Sequence, residues 1–463
     1  MNHKSPTAPR PWLQKPPLWL QTVCALLLGV GVGAWTGRDP IVGSFGTEQL
    51  AHLGMLVIQA LKVLAVPLVA FVVLDSLLRF EVPARQGLRL VRFCLLNVSV
   101  AMTVGLVLTN WLQPGRYLRA LFAPLVHRDP RASGMGAGLA NLHSLDPLDG
   151  LASLLPSSIA APFVDNAVVP AALLALLFGV ALRKVSAATE LPERALSFAA
   201  LRGVVHMLSE ALQRSLSWIV RLAPLSAFGL VAHAVGCAGL EALSGLWVFL
   251  GVVSLGFAIH GLVYYPLMAW LLGKRSPRVF LGGARDALIT GVATNSSLAT
   301  VPVTLRCIVE RLGVSPTSAR ISTCLGANLN HDGIALYEAM AALAIAQAVG
   351  LELGFAQQLG VVAASVMAGM GIAGIPEAGI VLLPTVLSAA GLPVEVAMAA
   401  IPLVMPVDWI LARARTAMNV LSDILVAVLL DRESPTEPTD ARLARPTDGP
   451  SLLPVQLRSG DGG

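Results

Sequence analysis

Charge is what this chain has least of. Asp, Glu, Lys and Arg make up 13% of its 463 residues, against roughly a quarter in an ordinary soluble domain. With 55% hydrophobic residues and a mean hydropathy of +0.73, that scarcity excludes a soluble globular protein. Cysteine is scarce too. Cys24, Cys94, Cys237, Cys307 and Cys324 sit singly in apolar stretches, an odd number without metal-ligand spacing, and read as buried free thiols. No small-residue cleavage site follows the first apolar run, Pro17–Trp35, so it reads as a retained helix. The net charge of +5 is no nucleic-acid signal, because the basic residues fall in particular loops.

Apolar runs of the roughly 20 residues needed to cross a bilayer recur from Pro17 to Asp431. The expected fold is therefore an all-α, multi-pass membrane protein embedded in a lipid bilayer. Hydropathy places helices near 17–36, 49–79, 88–112, 157–184, 203–236 and 240–273, then a helix at 316–350 and another at 401–430. Residues 1–16 form a cytoplasmic N-terminal segment. Residues 432–463, rich in Pro, Arg and Asp, are expected to be a disordered cytoplasmic tail. Basic residues at Lys4, Arg10 and Lys15, at Arg79 to Arg92, at Arg183 and Lys184, and at Lys274 to Arg278 put those segments and both termini in the cytoplasm. Arg116, Arg119, Arg128 and Arg131 would then lie outside, partly offset by Asp129, Asp146 and Asp149.

Two segments cannot be ordinary spans. In 277–305, apolar arms too short to cross flank Thr294-Asn295-Ser296-Ser297. In 355–390 the centre reads GIAGIPEAG, where glycine and proline disfavour continuous helix. Both read as re-entrant helical hairpins with polar tips, and each is followed by a helix with polar residues at its middle. Such paired broken segments point to a transporter binding site near the bilayer midplane.

The last helix supplies the clearest chemistry. Asp408, Ala412, Arg415, Thr416, Asn419 and Asp423 fall three and four residues apart, on one face. Charged residues in such a place bind something or pair with one another. A guanidinium fork matches a carboxylate, so Arg415 is a candidate anion receptor; a structural pair with Asp408 or Asp423 is the alternative. Asn330-His331-Asp332-Gly333 breaks an apolar helix and offers hard oxygen ligands for Na⁺ or a relay for H⁺, the alternative being a simple kink. His331 is a candidate proton site, and Ser296 and Ser297 at the hairpin tip are candidate carboxylate donors.

These residues resemble the dicarboxylate/amino acid:cation symporters, the group that contains the glutamate transporters. The resemblance covers residues 17–431 and is densest in ATNSSLATVPVT (Ala293–Thr304), GANLNHDG (Gly326–Gly333), GIAGIPEAG (Gly371–Gly379) and VDWILARARTAMNVLSD (Val407–Asp423). It implies eight transmembrane helices plus two hairpins, a homotrimer, an elevator motion, and a bacterial inner-membrane location. It also implies substrate contacts at Ser296, Ser297, Gly374, Arg415, Thr416 and Asn419, and cation contacts at Gly326, Asn330, Asp332, Asn419 and Asp423. The coupling ion would be Na⁺, H⁺ or both, with no other cofactor and no nucleic acid.

Departures from the family pattern are informative. Ala412 stands where amino-acid carriers of the family hold an aspartate for the substrate ammonium. Cys94, Asn97 and Val98 replace the Tyr, Thr and Ser that would complete one sodium site, leaving Asn97 as its remaining polar group. His331 and Ile334 replace a Met and a Thr. The expectation is thus a cation-coupled symporter of a small acidic solute, most plausibly a C4-type dicarboxylate, with glutamate or aspartate as the alternative. An anion channel is a rival, and an intramembrane hydrolase built on Ser297, His331 and Asp332 is a weaker one.

Overall fold

A computed structural model describes residues 18–79, 84–119, 122, 156–164, 168–187, 192–240, 242–326, 330–370, 379, 382–383, 386–387, 390–392 and 394–433. Its named elements are all helical: α1 (Leu18–Thr36), α2 (Thr47–Arg79), α3 (Ala84–Leu112), α4 (Val168–Ala187), α5 (Pro192–Val220) and α6 (Ala223–Ala238). Then come α7 (Ala242–Ala258), a π-helical turn (Ile259–Tyr264), α8 (Tyr265–Leu271), α9 (Pro277–Thr294) and α10 (Ser297–Arg306). The chain continues through α11 (Pro316–Arg320), a π-helical turn at Ile321–Leu325, α12 (Asp332–Ala348), α13 (Phe355–Met370) and α14 (Val394–Glu433).

Two helices, Arg85–Leu112 and Ser244–Leu271, are long and apolar enough to cross a membrane. Leu196–Ile219 with Pro224–Cys237 would make a third, although the two are bent by 46°. The run expected as one helix near 203–236 is thus broken between Val220 and Ala223, and Pro224 accounts for the break, since it has no N–H to donate to the Val220 carbonyl and is favoured in the first turn of a new helix. The helix expected at 316–350 is also interrupted, by the π-turn and by non-helical backbone at Asn330 and His331. At the other end α14 runs to Glu433, two residues into the expected tail, and Arg92 and Arg89 of α3 hold that glutamate.

The segment 277–305, expected as a first hairpin, folds as α9, a tight turn and α10. Asn295 ends α9 in the left-handed region (φ 52°, ψ 32°), and Ser296 caps α10 by accepting from the Ala299 N–H at 3.1 Å. Both roles suit these residues, because Asn tolerates left-handed backbone and Ser is a favoured N-cap. Of the segment expected as a second hairpin, α13 is described; Gly379 alone of Gly371–Gly379 is described, so the Gly374 expectation lies outside the described residues.

Helix α12 lies at the centre. All its residues but Gln347 are buried, and it packs on α3, α13 and α14. A helix apolar all round belongs in the interior, which explains why no amphipathic face marks it in the sequence.

Candidate functional site

Two polar clusters lie on α14, one turn to several turns apart. The first surrounds Arg415, which is 3% exposed. Its Nη1 donates to Asp408 Oδ1 at 2.9 Å and its Nη2 to Asp408 Oδ2 at 3.2 Å, a bidentate pair two turns apart on one face. The alternative left open by the sequence, an Arg415–Asp408 pair, is therefore present in this state. The Tyr337 ring of α12 lies 4.0 Å from Arg415 Cζ, a cation–π contact. On the other flank, the guanidinium lies so close to Gly379 that a Cβ there would have to displace it. Glu338, next to Tyr337, is fully buried, and neither of its oxygens has a hydrogen-bond partner among the described residues.

Close by, Thr416 Oγ1 lies 3.1 Å from both Asn295 Oδ1 and the Ala412 carbonyl, tying the first hairpin tip to α14. Ser297 Oγ is buried without a partner among the described residues. Asn419 Oδ1 accepts from the Gly333 N–H at 3.1 Å, joining α14 to the start of α12. Arg413 points away from Arg415: its Nη1 donates to the Trp409 carbonyl at 2.7 Å.

The second cluster is built on Asp332 and Asp423. Asp332 Oδ2 receives Tyr265 OH at 2.6 Å and Ser422 Oγ at 3.0 Å, with His260 Nε2 at 3.3 Å. Its other oxygen, Oδ1, is buried and has no partner among the described residues. Asn330 Nδ2 reaches Asp423 Oδ1 at 3.1 Å and Ser422 Oγ at 2.9 Å. Gly326 lies so close to Asp423 Oδ1 that a Cβ there would have to displace the carboxylate. Asn97 stands one layer further out: it donates to Ser422 Oγ at 3.1 Å and accepts from Tyr264 OH at 3.0 Å.

His331 sits differently from its expected place beside Asp332. Its Nδ1 lies 2.9 Å from the Gly369 carbonyl of α13. The imidazole that meets Asp332 is His260, stacked on Tyr264 (centroids 4.8 Å apart) and edge-on to Tyr265 (4.6 Å). Sequence reading missed His260, Tyr265, Tyr337 and Glu338; a His and two Tyr within an otherwise apolar run were the available signal for the first two. A cavity of about 50 Å³ adjoins Asp332, with Cys94, Val98, Asn330 and His331 in its lining.

Chemically, the second cluster offers a cation two buried carboxylates and an unmatched oxygen, hard ligands of the type Na⁺ takes. The first offers a solute a guanidinium, hydroxyls and an amide. Ser297 and His331 do not meet as nucleophile and base, since the serine oxygen has no partner.

The sodium:dicarboxylate symporter family model matches residues 18–433. The chain belongs to this family. Members are membrane-embedded transporters coupled to sodium, not enzymes, and the chain is accordingly an integral membrane protein. Among relatives within the family, excitatory amino acid transporter 1 of Bos taurus is 39% identical over 237 residues. That match takes in 51% of this chain and 43% of the relative, less than half its length. A Caenorhabditis elegans protein provisionally named a sodium-dependent excitatory amino acid transporter is 29% identical over 458 residues, 90% of this chain and 89% of the relative. Neutral amino acid transporter B(0) of Rattus norvegicus is 28% identical over 484 residues, 95% of this chain and 84% of the relative.

Proposed function

We propose that this chain is a sodium-coupled symporter of an acidic amino acid, binding its solute between the two hairpins and α14 and exposing it to each side in turn. The expectation of a C4-type dicarboxylate gives way to its alternative, because the relatives are named for excitatory and neutral amino acids. The observation that carries the acidic side chain is Arg415, a buried guanidinium that faces the Gly379 backbone of the second hairpin.

Asp408 occupies the Arg415 fork here. A solute carboxylate entering the site competes with Asp408 for the same N–H groups, so Asp408 holds the buried cation in the solute-free state. Ser297 Oγ and the Asn419 amide supply further polar contacts, and the first-hairpin tip, with Ser296, forms one wall. Gly374 belongs to the opposing wall by its position in the motif.

For sodium, Asp423 and Asp332 are the charged ligands, with Asn330 and the Gly326 backbone beside them. The unmatched Asp332 Oδ1 favours a cation there. Glu338 and His331 are the groups that can carry a proton in addition to sodium. Eight crossings, two re-entrant hairpins, a homotrimer, an elevator motion, cytoplasmic termini and a bacterial inner membrane complete the proposal.

The test is competition in proteoliposomes bearing an inward sodium gradient. Unlabelled aspartate or glutamate should displace labelled aspartate better than succinate or malate. If succinate or malate wins, the dicarboxylate reading returns and the amino-acid reading fails.

A further inference from the structure

A cavity of about 250 Å³ opens where the end of α3, the end of α12 and the start of α13 meet, and none of its lining residues belongs to the two polar clusters on α14. Arg116 and Arg119, two of the arginines that run against the charge pattern of the other loops, line it. The local chain explains their placement. Helix α3 ends at Leu112, Gln113 turns with left-handed backbone (φ 47°), and residues 115–119 are helical again. Gly115 seats that short helix on α12: its N–H donates to Gln347 Oε1 at 3.2 Å, and a Cβ there would meet the Ala344 carbonyl. Arg116 and Arg119, three residues apart, share one face of it.

The amides around the cavity are occupied with one another. Asn110 Nδ2 donates to Gln358 Oε1 at 2.8 Å and Gln358 Nε2 to Asn110 Oδ1 at 3.2 Å, a reciprocal pair that joins α3 to α13. Their remaining N–H bonds go to the Leu106 and Leu353 carbonyls. The guanidinium groups are not spent in this way. Arg119 uses its Nε, 3.4 Å from the Gln347 carbonyl, and Arg116 has no side-chain partner among the described residues. Glu352 is the one acid in the lining, and no ion pair joins it to either arginine among the described residues. Two guanidinium forks against one carboxylate leave an excess positive charge and unused donors, the complement of a singly charged phosphodiester.

The position of the cavity indicates where such a group comes from. Arg85–Leu112, 28 residues and apolar enough to cross a membrane, is about 42 Å long at 1.5 Å per residue, more than the roughly 30 Å of hydrocarbon. Its end therefore lies at the level of the lipid head groups. Trp111, next to Asn110, is 78% exposed and Tyr117, next to Arg116, 60%, as aromatic residues are at a membrane interface.

We infer that this cavity binds the phosphate group of an anionic phospholipid, held by Arg116 and Arg119. It is separate from the solute and sodium sites, and it gives these two arginines a role that orientation alone does not. A zwitterionic head group fits less well, because its amine brings positive charge to a cavity that already has an excess.

Native mass spectrometry of the full chain in detergent reads lipid retention with phosphatidylglycerol, phosphatidylcholine or inorganic phosphate added in turn. The unmodified protein should bind phosphatidylglycerol about tenfold more tightly than phosphatidylcholine, and inorganic phosphate at matched concentration should not displace it. Arg116→Gln/Arg119→Gln should lose at least about tenfold of that affinity, with its thermal midpoint in lipid-free detergent unchanged. Glu352→Gln should shift the other way, tightening phosphatidylglycerol by about two- to fivefold, which a damaged fold would not do. Arg275→Gln/Arg278→Gln, in a basic segment elsewhere, should stay within about twofold of the unmodified protein.

Equal retention of phosphatidylglycerol by Arg116→Gln/Arg119→Gln and the unmodified protein would overturn the inference, as would equal retention of the two lipids. A loss as large in Arg275→Gln/Arg278→Gln would overturn it too, by making the binding a general charge effect. Displacement by inorganic phosphate would make the site one for a free anion and overturn the lipid source.

Discussion

The region before about residue 240 and the region after it use opposite materials. Helices α1, α2 and α6 approach one another through glycine: a Cβ at Gly229 would collide with the Leu50 carbonyl, and one at Gly33 with that of Ala232. Their outer faces are large and apolar, with Trp35 83% and Leu27 68% exposed. In contrast, every buried ionisable side chain of Asp, Glu, His or Arg type among the described residues lies between His260 and Asp423. The difference teaches a division of labour. One region is built to pack and to face an apolar surround, and the other holds charge away from it.

The largest expected effect that sharpens this division is at Arg415. Arg415→Ala leaves Asp408 buried without its partner and removes the solute's counter-ion, so acidic-solute uptake should fall by about a hundredfold or more. Uptake at unmodified affinity would remove Arg415 from the site.

Next comes Asp423→Asn. Loss of an outer-shell partner already costs about tenfold in metal affinity, and a direct ligand should cost no less. The half-saturating sodium concentration should rise accordingly at fixed aspartate; an unchanged sodium response would break the assignment of the second cluster.

On the other side of the comparison, Gly229→Val should act on stability alone. Its side chain has no room against the Leu50 carbonyl, and overpacking of this kind costs about 1–3 kcal/mol. The expected result is a lower thermal midpoint in detergent with the aspartate KM retained; a change confined to KM would mean that this packing belongs to the binding site. Smallest of all is Trp35→Leu, an exposed site where the stability change should stay within about 0.5 kcal/mol and transport should be unaltered.

Much of the site was legible because α14 writes it at helical spacing. Asp408, Ala412, Arg415, Thr416, Asn419 and Asp423 share one face as the periodicity requires, and all are buried. The turn between α9 and α10 was legible from Asn295 and Ser296, whose backbone preferences suit a turn and a cap. Glu338 was not, because α12 is enclosed on every side and so carries no polar face against which an acid stands out. His260 and Tyr265 escaped for another reason. The π-turn over Ile259–Tyr264 sets His260 and the following Tyr265 so that both meet Asp332, some 70 residues away in sequence, and nothing local announces that contact. Likewise, spacing placed Asp408 and Arg415 on one face but did not decide between pairing with each other and pairing with a solute.

The most direct test of the whole account is accumulation of labelled aspartate inside proteoliposomes when an inward sodium gradient is imposed and then collapsed with an ionophore. The account predicts a transient internal concentration above the external one that disappears on collapse. Aspartate that only equilibrates, at the same level with and without the gradient, would contradict coupled transport and favour a channel.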